Sequence, residues 1–386
     1  MHVAYVTTDP GIPPFGTKGA SIHVQSVLRV LLAMGHRVTL FSPCLAVAPA
    51  AEFATVALHP LPGAPRGDDA EARAAWALAL NETVAAALTL AGPFDLVYER
   101  HALFAHGAME WASRGGVPSA LELNAPLIAE QTRHRHMVRQ SDAQASARRA
   151  FGAARLVAAV SAAAADYARD LGALPDRVAV IPNGVDAARF DGSPAPDGPF
   201  TVGFVGTLKP WHDTATLVEA FALLRRGPVP DARLLIVGDG PQRAAILDRL
   251  DQLSLSDAAH LTGAVQPDQI PGWLARMHVA TAPYRGDQPF YFSPLKLYEY
   301  MAAGLPVVAS DVGDLAQVLD RGRLGAIVVP DDPGALAAAL AGLARDPAAA
   351  TAMGARARAE VLAHHGWDRI VSRIIARAGA AGQEAA

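Results

Sequence analysis

The stretch Phe292–Ser310 reads FSPLKLYEYMAAGLPVVAS, and its pattern decides the fold. Ser293 followed by Pro294 is typical of a helix start, with the serine as N-cap and the proline at the first helical position. Gly304 ends the predicted helix, and the apolar run after it predicts a buried strand. A loop, a helix and a returning buried strand in this order indicate an α/β fold.

The same alternation of apolar runs and amphipathic segments extends outward from this stretch and predicts a parallel sheet in each half of the chain. The predicted strands are His2–Thr7, Val38–Phe41, Leu96–Tyr98, Ser119–Leu123, Leu156–Val160, Val178–Ile181, Thr201–Val205, Arg233–Val237, Ala280–Pro283 and Val307–Ala309. The predicted helical segments are Ala20–Met34, Ala105–Ala112, Asp213–Leu224, Pro241–Leu253, Leu295–Ala303 and the end of the chain from Trp367.

A chain of 386 residues is too long for one ordinary core and indicates two domains of roughly 150–200 residues. The polar stretch Asp191–Pro199 is the candidate linker. We therefore predict an N-terminal domain, residues 1–190, completed by a C-terminal helix at 367–386. The second predicted domain spans residues 200–366.

Composition excludes several classes of protein. The formal net charge is -4, so the chain as a whole has no attraction for nucleic acid. Cys44 is the single cysteine, which excludes an intramolecular disulfide. The first residues, MHVAYVTTDP, lack the basic start and apolar run of a signal peptide, and no stretch reaches ~18 uninterrupted apolar residues. We expect a cytoplasmic protein and leave contact with a membrane surface open.

The helix start before Leu295 has the features of a phosphate site. A loop before a helix, at the carboxyl end of a strand, is where α/β sheets bind ligands, and the N–H groups there favour an anion. Lys296 places a cation in the first turn, where it is unfavourable unless an anionic ligand is present. A plain surface ion pair between Lys296 and Glu299, three residues apart, is the alternative, and spacing alone does not separate the two.

This stretch resembles the donor-site motif of retaining GT-B glycosyltransferases of family 4, and SPLK before EYMAAG resembles one subgroup of it. The resemblance implies an α/β GT-B fold of two Rossmann-like domains facing across a cleft. It also implies that Glu299 holds the donor ribose and Lys296 the pyrophosphate. The first glutamate of the family motif falls at Tyr291, so Ser293 and backbone amides are expected to hold the donor sugar.

Other segments follow the family's order: FGTKGAS (15–21), IPNGVD (181–186), FVGTLKPWH (204–212), VGDGPQR (237–243) and 264–273. The family's arginine and lysine after the first glycine of the second domain are Thr207 and His212 here, and Lys209 between them is predicted to contact phosphate. The predicted donor-binding residues are Gly19, Gly206, Thr207, Lys209, Gly238, Gly240, Val265, Ser293, Pro294, Leu295, Lys296 and Glu299. The chain has few lysines, and Lys18, Lys209 and Lys296 all lie in proposed phosphate loops.

In the first half, polar residues follow strands in YERHAL (98–103) and LELNAPLIAE (121–130). Many relatives have a histidine where Asn124 stands, with its backbone carbonyl near the reacting carbon. The predicted catalytic residues are Lys209, Lys296, Asn124 and His101, and the predicted acceptor-side residues are Lys18, Arg100, Glu122 and Glu130. A buried structural Arg100–Glu122 pair and a core role for His101 remain alternatives. The arginines of 133–139, with Arg148, Arg149 and Arg155, indicate either a solvated helix face, which we favour, or contact with an anionic acceptor or membrane.

The resemblance predicts a retaining glycosyltransferase of hexosyltransferase type. It would move a sugar from a nucleoside-diphosphate sugar, with uracil the base expected from family frequency, to a hydroxyl of a small-molecule, lipid or glycan acceptor. We expect no cofactor and no metal, because no set of His, Cys, Asp or Glu stands at ligand spacing. VGDGPQR is not the dinucleotide fingerprint, since position 243 is arginine. The alternatives are a nucleotide-sugar 2-epimerase and a degenerate nucleotide-sugar-binding protein.

Overall fold

The structure is a computed structural model that describes residues 1–190 and 197–380. The chain folds into two compact units. The first contains Met1–Asn183, the short segment Tyr291–Ser293 and the C-terminal residues from Trp367; the second contains Gly184–Phe290 and Pro294–Gly366. Residues 191–196 of the candidate linker and 381–386 of the predicted C-terminal helix lie outside the described residues.

The strands are close to those that the apolar runs predict. They are β1 His2–Thr7, β2 Arg37–Ser42, β3 Ala57–Pro60, β4 Leu96–Arg100, β5 Ser119–Leu123, β6 Leu156–Ala159, β7 Val178–Val180, β8 Thr201–Val205, β9 Arg233–Val237, β10 Ala259–Leu261, β11 Val279–Ala282, β12 Val307–Ser310 and β13 Ala326–Val328.

The helices lie between these strands, and the last three follow the final strand. They are α1 Gly19–Ala33, α2 Ala70–Ala91, α3 Gly107–Arg114, α4 Leu127–His134, α5 Gln140–Ala153, α6 Ala162–Asp170, α7 Thr214–Arg226, α8 Arg243–Gln252, α9 Ile270–Leu274, α10 Leu295–Ala302, α11 Leu315–Val318, α12 Pro333–Arg345, α13 Pro347–His364 and α14 Trp367–Ala380.

Each unit is built on one parallel sheet. The seven-stranded sheet has the order β3-β2-β1-β4-β5-β6-β7, and the six-stranded sheet has the order β10-β9-β8-β11-β12-β13. The strand order reverses between β1 and β4 in the first unit and between β8 and β11 in the second. Ligands of open α/β sheets bind at the carboxyl ends of the strands at such a reversal. The predicted α/β class with parallel sheets is confirmed.

The two faces of the first sheet carry separate cores because successive residues of a strand point to opposite sides. On β4, Leu96 and Tyr98 join the core that α1 and α14 cover, whereas Val97 joins the core on the side of α2, α3 and α5. Helix α14 packs on the first of these faces through Val371 and Ile374, which are buried there. The C-terminal segment is thus part of the first core.

Helix α2 is the one described helix long and apolar enough, by length and composition, to cross a membrane. About a third of its apolar window, 33%, is buried inside the structure. Its residues Leu80, Val84 and Leu88 pack into the core of the first unit. A core helix of a folded domain passes the same test of length and composition.

Candidate functional site

Lys296 is the central residue of the candidate site in the second unit. Its Nζ lies 4.4 Å from the ring centroid of Phe204, on β8, and 5.3 Å from that of Tyr284, just after β11. This ammonium nitrogen is buried and has no hydrogen-bond partner among the described residues. Burial lowers the pKa of Lys296 to about 7. A cation that lies between two aromatic rings where the strand order reverses, without a hydrogen-bond partner, is arranged to receive an anion.

Three glycines that the sequence placed in the donor site meet beside Lys296. A Cβ on Gly206 would lie 3.1 Å from Lys296 Nζ, and one on Gly238 would lie 2.1 Å from the Gly206 carbonyl oxygen. A Cβ on Gly240 would lie 2.7 Å from the backbone nitrogen of Leu208. The loops after β8 and β9 therefore touch backbone to backbone, and glycine is required for that packing whether or not a ligand is bound.

Glu299 lies one turn further along α10, but its partner is not the one that its spacing suggested. Its Oε1 is 4.0 Å from Nη1 of Arg189, while Lys296 and Glu299 form no ion pair in the described part of the chain. The surface Lys296–Glu299 pair, the alternative reading of the spacing, is therefore wrong. Burial raises the pKa of Glu299, and the charges of Arg189 and Lys296 oppose that shift. A half-buried carboxyl group with one distant ion-pair partner retains free acceptor positions.

The loop after Gly206 distributes its polar residues differently from the prediction. The Lys209 ammonium lies 5.8 Å from the ring centroid of Trp211, so the two lysines contact different aromatic rings. Thr207 is exposed, and its carbonyl oxygen accepts a hydrogen bond from Nδ1 of His212. Burial and the charge of Lys296 lower the pKa of His212 to about 3. The position where relatives have a lysine thus holds a buried, neutral imidazole.

The predicted cap of α10 is wrong. The N-cap position is Pro294, with no side-chain hydrogen bond, and the Ser293 hydroxyl instead accepts a hydrogen bond from the backbone N–H of Asn183 at 3.2 Å. The proline side chain has no acceptor atom that could cap the helix. The backbone N–H groups of Leu295 and Lys296 come before that of Leu297, which makes the first backbone hydrogen bond of the helix. Ser293 groups with the first unit and Leu295 with the second.

Two further residues of the second unit lie at the ends of β9 and β10. Val265 is half-buried in the loop after β10, and its contact with the base stays a prediction. Sequence reasoning missed Arg243, whose Nη1 is buried without a partner in the ranges described and lies 4.0 Å from the Cβ position of Gly263. Arg243 is the first residue of α8. A cation in the first turn of a helix is the sequence signal that selected Lys296, and the same signal would have selected Arg243.

Glu122 is the centre of the polar group in the first unit. Its carboxylate lies 2.5 Å from His23 Nε2, accepts hydrogen bonds from the Tyr98 hydroxyl at 2.7 Å and the Asn124 amide at 2.5 Å, and is 3.4 Å from Arg100 Nη1. Burial acts to raise the pKa of Glu122, but His23, Arg100 and Tyr98 outweigh it and lower that pKa to about 2. The structure therefore brings Arg100, Glu122 and Asn124 together as a buried ionised network.

The network around Glu122 continues to the segment Tyr291–Ser293. The Asn124 side-chain oxygen accepts a hydrogen bond from the Asn183 amide at 3.3 Å. Asn183 also donates to Ser293, as described above. Nearby in sequence, the Tyr291 hydroxyl donates to Glu130 Oε1 at 2.7 Å. Tyr291 stands where relatives have a glutamate, and it is bonded to a carboxylate from α4.

The side chains of the remaining predicted residues of the first unit are not among the partners of the Glu122 carboxylate, although the His101 backbone N–H donates to the Glu122 carbonyl oxygen at 3.0 Å. His101 packs on Phe151 with ring centroids 5.1 Å apart, and burial lowers its pKa to about 4. Its neutral ring packs against the buried side of α5, which favours a core role for His101 over a catalytic one. Lys18 Nζ donates to the Gly11 carbonyl oxygen at 3.0 Å, within its own loop. A Cβ on Gly19 would meet nothing within 4 Å, so the folded chain does not itself require glycine there.

Two of the arginines in the basic segment are neutralised by partners. Arg139 Nε is 2.7 Å from Glu71, and Arg149 forms two hydrogen bonds with Glu110 at 2.6 and 2.8 Å. These exposed pairs fit the solvated helix face that we favoured. In the part of the chain that the structure describes, no three His, Cys, Asp or Glu side chains are grouped to hold a metal ion.

Solved structures of the same fold define the class of this protein. HepE of Anabaena, in complex with UDP, is 18% identical, with a TM-score of 0.72 over 98% of this chain and 100% of that one. Sucrose-phosphate synthase of Thermosynechococcus elongatus is 20% identical, with a TM-score of 0.71 over 97% of each chain. The fold is therefore GT-B, as predicted.

Two family models match consecutive parts of the chain. Residues 17–189 match the model of Glycosyltransferase Family 4, and residues 199–346 match that of Glycosyl transferases group 1. The chain belongs to family 4 of the glycosyltransferases.

Two curated relatives illustrate the range of the family. D-inositol 3-phosphate glycosyltransferase 2 of Catenulispora acidiphila is 26% identical over 90% of this chain and 87% of its own length. The phosphatidyl-myo-inositol mannosyltransferase of Mycolicibacterium smegmatis is 34% identical over 55% of each chain. The prediction of a hexosyltransferase-type glycosyltransferase is confirmed.

Proposed function

We propose that this glycosyltransferase moves a sugar, with retention of configuration, from a nucleoside-diphosphate sugar to a hydroxyl group, without a metal. The observation that carries the proposal is the buried Lys296 ammonium, which has no hydrogen-bond partner within the described residues and lies beside the glycine loops after β8 and β9. Departure of a nucleoside diphosphate leaves negative charge on a phosphate, and a fixed cation in a site free of water stabilises that charge strongly.

The second unit would hold the donor. Binding of a diphosphate would place negative charge directly against the Lys296 ammonium, which favours its charged form and opposes the effect of burial. The free N–H groups at the start of α10 add donors for the same phosphate. Glu299 would accept hydrogen bonds from the ribose hydroxyls, and the buried Arg243 Nη1 offers a further contact for an anion or a base.

The first unit would hold the acceptor. Glu122 is ionised and held by four neighbours, so its role would be to orient Asn124 and Arg100 rather than to exchange protons. The hydrogen bond between Tyr291 and Glu130 would supply a polar group where the family motif has its first glutamate. Lys18 and Lys209 are the more exposed cations and would contact phosphate oxygens only after releasing their present contacts.

For the donor base we propose uracil. HepE of Anabaena was solved with UDP, whereas another relative is named as a GDP-mannose-dependent mannosyltransferase of Mycobacterium tuberculosis. Thermal-shift titrations with UDP-, GDP- and ADP-sugars, followed by analysis of the anomeric configuration of the product, test the donor and the mechanism together. Stabilisation by UDP-sugars and a product that keeps the donor's configuration are expected. Failure of every nucleotide sugar to stabilise the protein at millimolar concentration would contradict the proposal.

The ribose contact has its own test in Glu299→Ala. We expect donor affinity to fall by about tenfold, the effect of removing a hydrogen-bonded carboxylate from a binding site. Glu219→Ala is the matched control, because Glu219 lies in the same unit and pairs with Arg249 on the exposed surface. Equal donor affinity in Glu299→Ala and in the control would rule out the ribose contact.

A further inference from the structure

The first unit contains a cavity of about 270 Å³ on the face of the sheet opposite to Glu122. Its wall is mostly apolar and comes from α2, from the loop after β4 and from the segment after α4, including Trp76, Leu80, Leu103, Phe104, Met137 and Val138. Thr8, Asp9 and Pro10, directly after β1, line it as well. The cavity therefore lies at the carboxyl edge of the sheet where the strand order reverses between β1 and β4, the position where α/β folds bind ligands.

Three residues in the wall of this cavity have buried polar atoms that lack partners. They are Thr8 Oγ1, Trp76 Nε1 and Glu99 Oε2, for which residues 1–190 and 197–380 provide no hydrogen bond. Glu99 is only 1% exposed, and burial raises its pKa to about 8, so its carboxyl group is neutral at pH 7. Each unpaired buried polar group costs about 1–3 kcal/mol, so three in one cavity indicate that a bound molecule completes them.

The wall is held in a strained conformation. Phe104 has φ +69°, which costs an aromatic residue on the order of 1–3 kcal/mol. Asn81, buried on α2, fixes this loop: its amide donates to the Phe104 carbonyl oxygen at 3.0 Å, and its Oδ1 accepts from the N–H groups of His106 and Gly107 at 2.7 and 2.8 Å. A Cβ on Gly107 would lie 2.3 Å from the Asn81 carbonyl oxygen, so loop and helix are in direct contact. Such strain persists at sites that serve a ligand.

We infer that this cavity binds the apolar, uncharged, hydroxyl-bearing part of the sugar acceptor, with Glu99, Trp76 and Thr8 as its hydrogen-bonding partners. The inference rests on the proposed transferase function and selects, among glycan, lipid and small-molecule acceptors, those with an alkyl or aryl group. A neutral carboxyl group and an indole N–H match a hydroxyl, which both donates and accepts. An anion would lose its hydration against the apolar wall, and a bare sugar would leave that wall unfilled. The charged side chains that line the cavity are Asp9, Asp68, Arg73 and Arg135, two of each sign.

The test uses phenylbutanol as the probe and tryptophan fluorescence of the full chain as the readout. Phenylbutanol should bind about tenfold more tightly than phenylbutyrate, because the carboxylate of phenylbutyrate would lose its hydration in the mostly apolar cavity. Ala77→Phe, which fills the cavity from α2, should abolish probe binding. Ala79→Phe, on the exposed side of the same helix, is the matched control and should bind as the wild type does. Equal binding of the two probes, or an unchanged affinity in Ala77→Phe, would overturn the inference.

A second variant keeps the inference testable if Ala77→Phe does not fold. Glu99→Gln retains a hydrogen-bonding group of the same size but cannot ionise. Wild-type affinity for phenylbutanol should decrease as the pH rises through about 8, and the affinity of Glu99→Gln should not. Identical pH profiles would refute the role of Glu99. Donor binding, measured in parallel by the UDP-glucose thermal shift, separates the two ideas: its failure contradicts the proposed function, whereas its presence without probe binding contradicts this inference alone.

Discussion

Lys296 in the second unit and Glu99 in the first are among the ionisable side chains that have a buried atom without a hydrogen-bond partner, as far as the described residues extend. A polar group in such a position destabilises the folded chain unless a ligand completes it. Both residues lie at the point where the strand order of their sheet reverses, so burial and topology select the same two places. Lys296 already stood out in the sequence as a cation in a helix's first turn. Glu99 lies in the polar segment YERHAL, but the sequence analysis selected its neighbours Arg100 and His101 instead.

Removing the positive charge at position 296 should reduce turnover. In Lys296→Met we expect kcat to fall by at least about tenfold, because the cation stabilises the departing diphosphate, and we expect the protein to stay folded. Initial rates with the donor found in the nucleotide-sugar screen give the measurement. Arg249→Met, which removes an exposed cation of the same unit, should keep the wild-type rate. A near-normal rate in Lys296→Met would show that the phosphate is held elsewhere.

Replacing Glu99 by glutamine should change how stability depends on pH. The folded-state pKa of Glu99, about 8, lies above its ordinary value, so between about pH 5 and 8 the folded protein holds a proton that the unfolded chain releases. Wild-type stability relative to Glu99→Gln should therefore fall as pH rises through this window, by about 2.5 kcal/mol between pH 5 and 7. Urea unfolding of both proteins at several pH values measures it. Parallel stability curves would mean that Glu99 ionises normally.

At the scale of elements, the predicted strands Ser119–Leu123, Thr201–Val205 and Arg233–Val237 have the bounds that the structure shows. Their β-branched and apolar runs end at glycine or polar residues, which is a local signal. Helix α2, the longest, was not predicted. It is alanine-rich and almost uniformly apolar around its circumference, so it lacks the 3.6-residue period that reveals an amphipathic helix. What fixes its position is its packing on α3 and the bond from Asn81 to the loop after β4.

The contact between the loops after β8 and β9 should be intolerant of any side chain at position 238. Gly238 has φ +138°, and a Cβ there would lie 2.1 Å from the Gly206 carbonyl oxygen. Gly238→Ala should lower the free energy of unfolding by at least about 2 kcal/mol and weaken donor binding, because the loop beside Lys296 must move. Gly272→Ala is the control, since its Cβ would meet nothing within 4 Å. Chemical denaturation measures the stability of both variants, and titration measures their donor affinity. Equal stability of the two variants would contradict the close contact between Gly238 and Gly206.

At the scale of the whole molecule, the C-terminal residues from Trp367 belong to the first unit. Trp367 contacts His23 with ring centroids 4.6 Å apart, and His23 in turn contacts Glu122, so the C-terminal helix α14 supports the polar network as well as the core. The first unit therefore needs residues from both ends of the chain. The second unit draws its sheet and helices from residues between them.

A charge in the core face of α14 should disrupt the first unit selectively. Val371 is fully buried, and Val371→Asp should lower the stability of that unit by at least about 3 kcal/mol. Ser372→Asp places the same charge on the exposed side of the helix and should have little effect. Calorimetry with and without UDP-sugar distinguishes the unfolding of the two units, because the donor should still stabilise the second unit. Loss of donor stabilisation in a Val371→Asp protein that remains soluble would show that the two units do not fold independently.

The sequence by itself determined the alternation of strands and helices, the glycines of the phosphate loops, and the family, because each of these depends on a pattern of residues close together in the chain. Tertiary structure alone decided which polar groups meet. It gave Glu299 the partner Arg189 and placed Ser293 against Asn183 instead of on its own helix. It placed the His101 ring against Phe151 and the Glu122 carboxylate against Tyr98. It also left Lys296 and Glu99 buried and unpaired. The physical reason is that burial and pairing depend on what the fold packs against a side chain, and those groups come from residues remote in the chain.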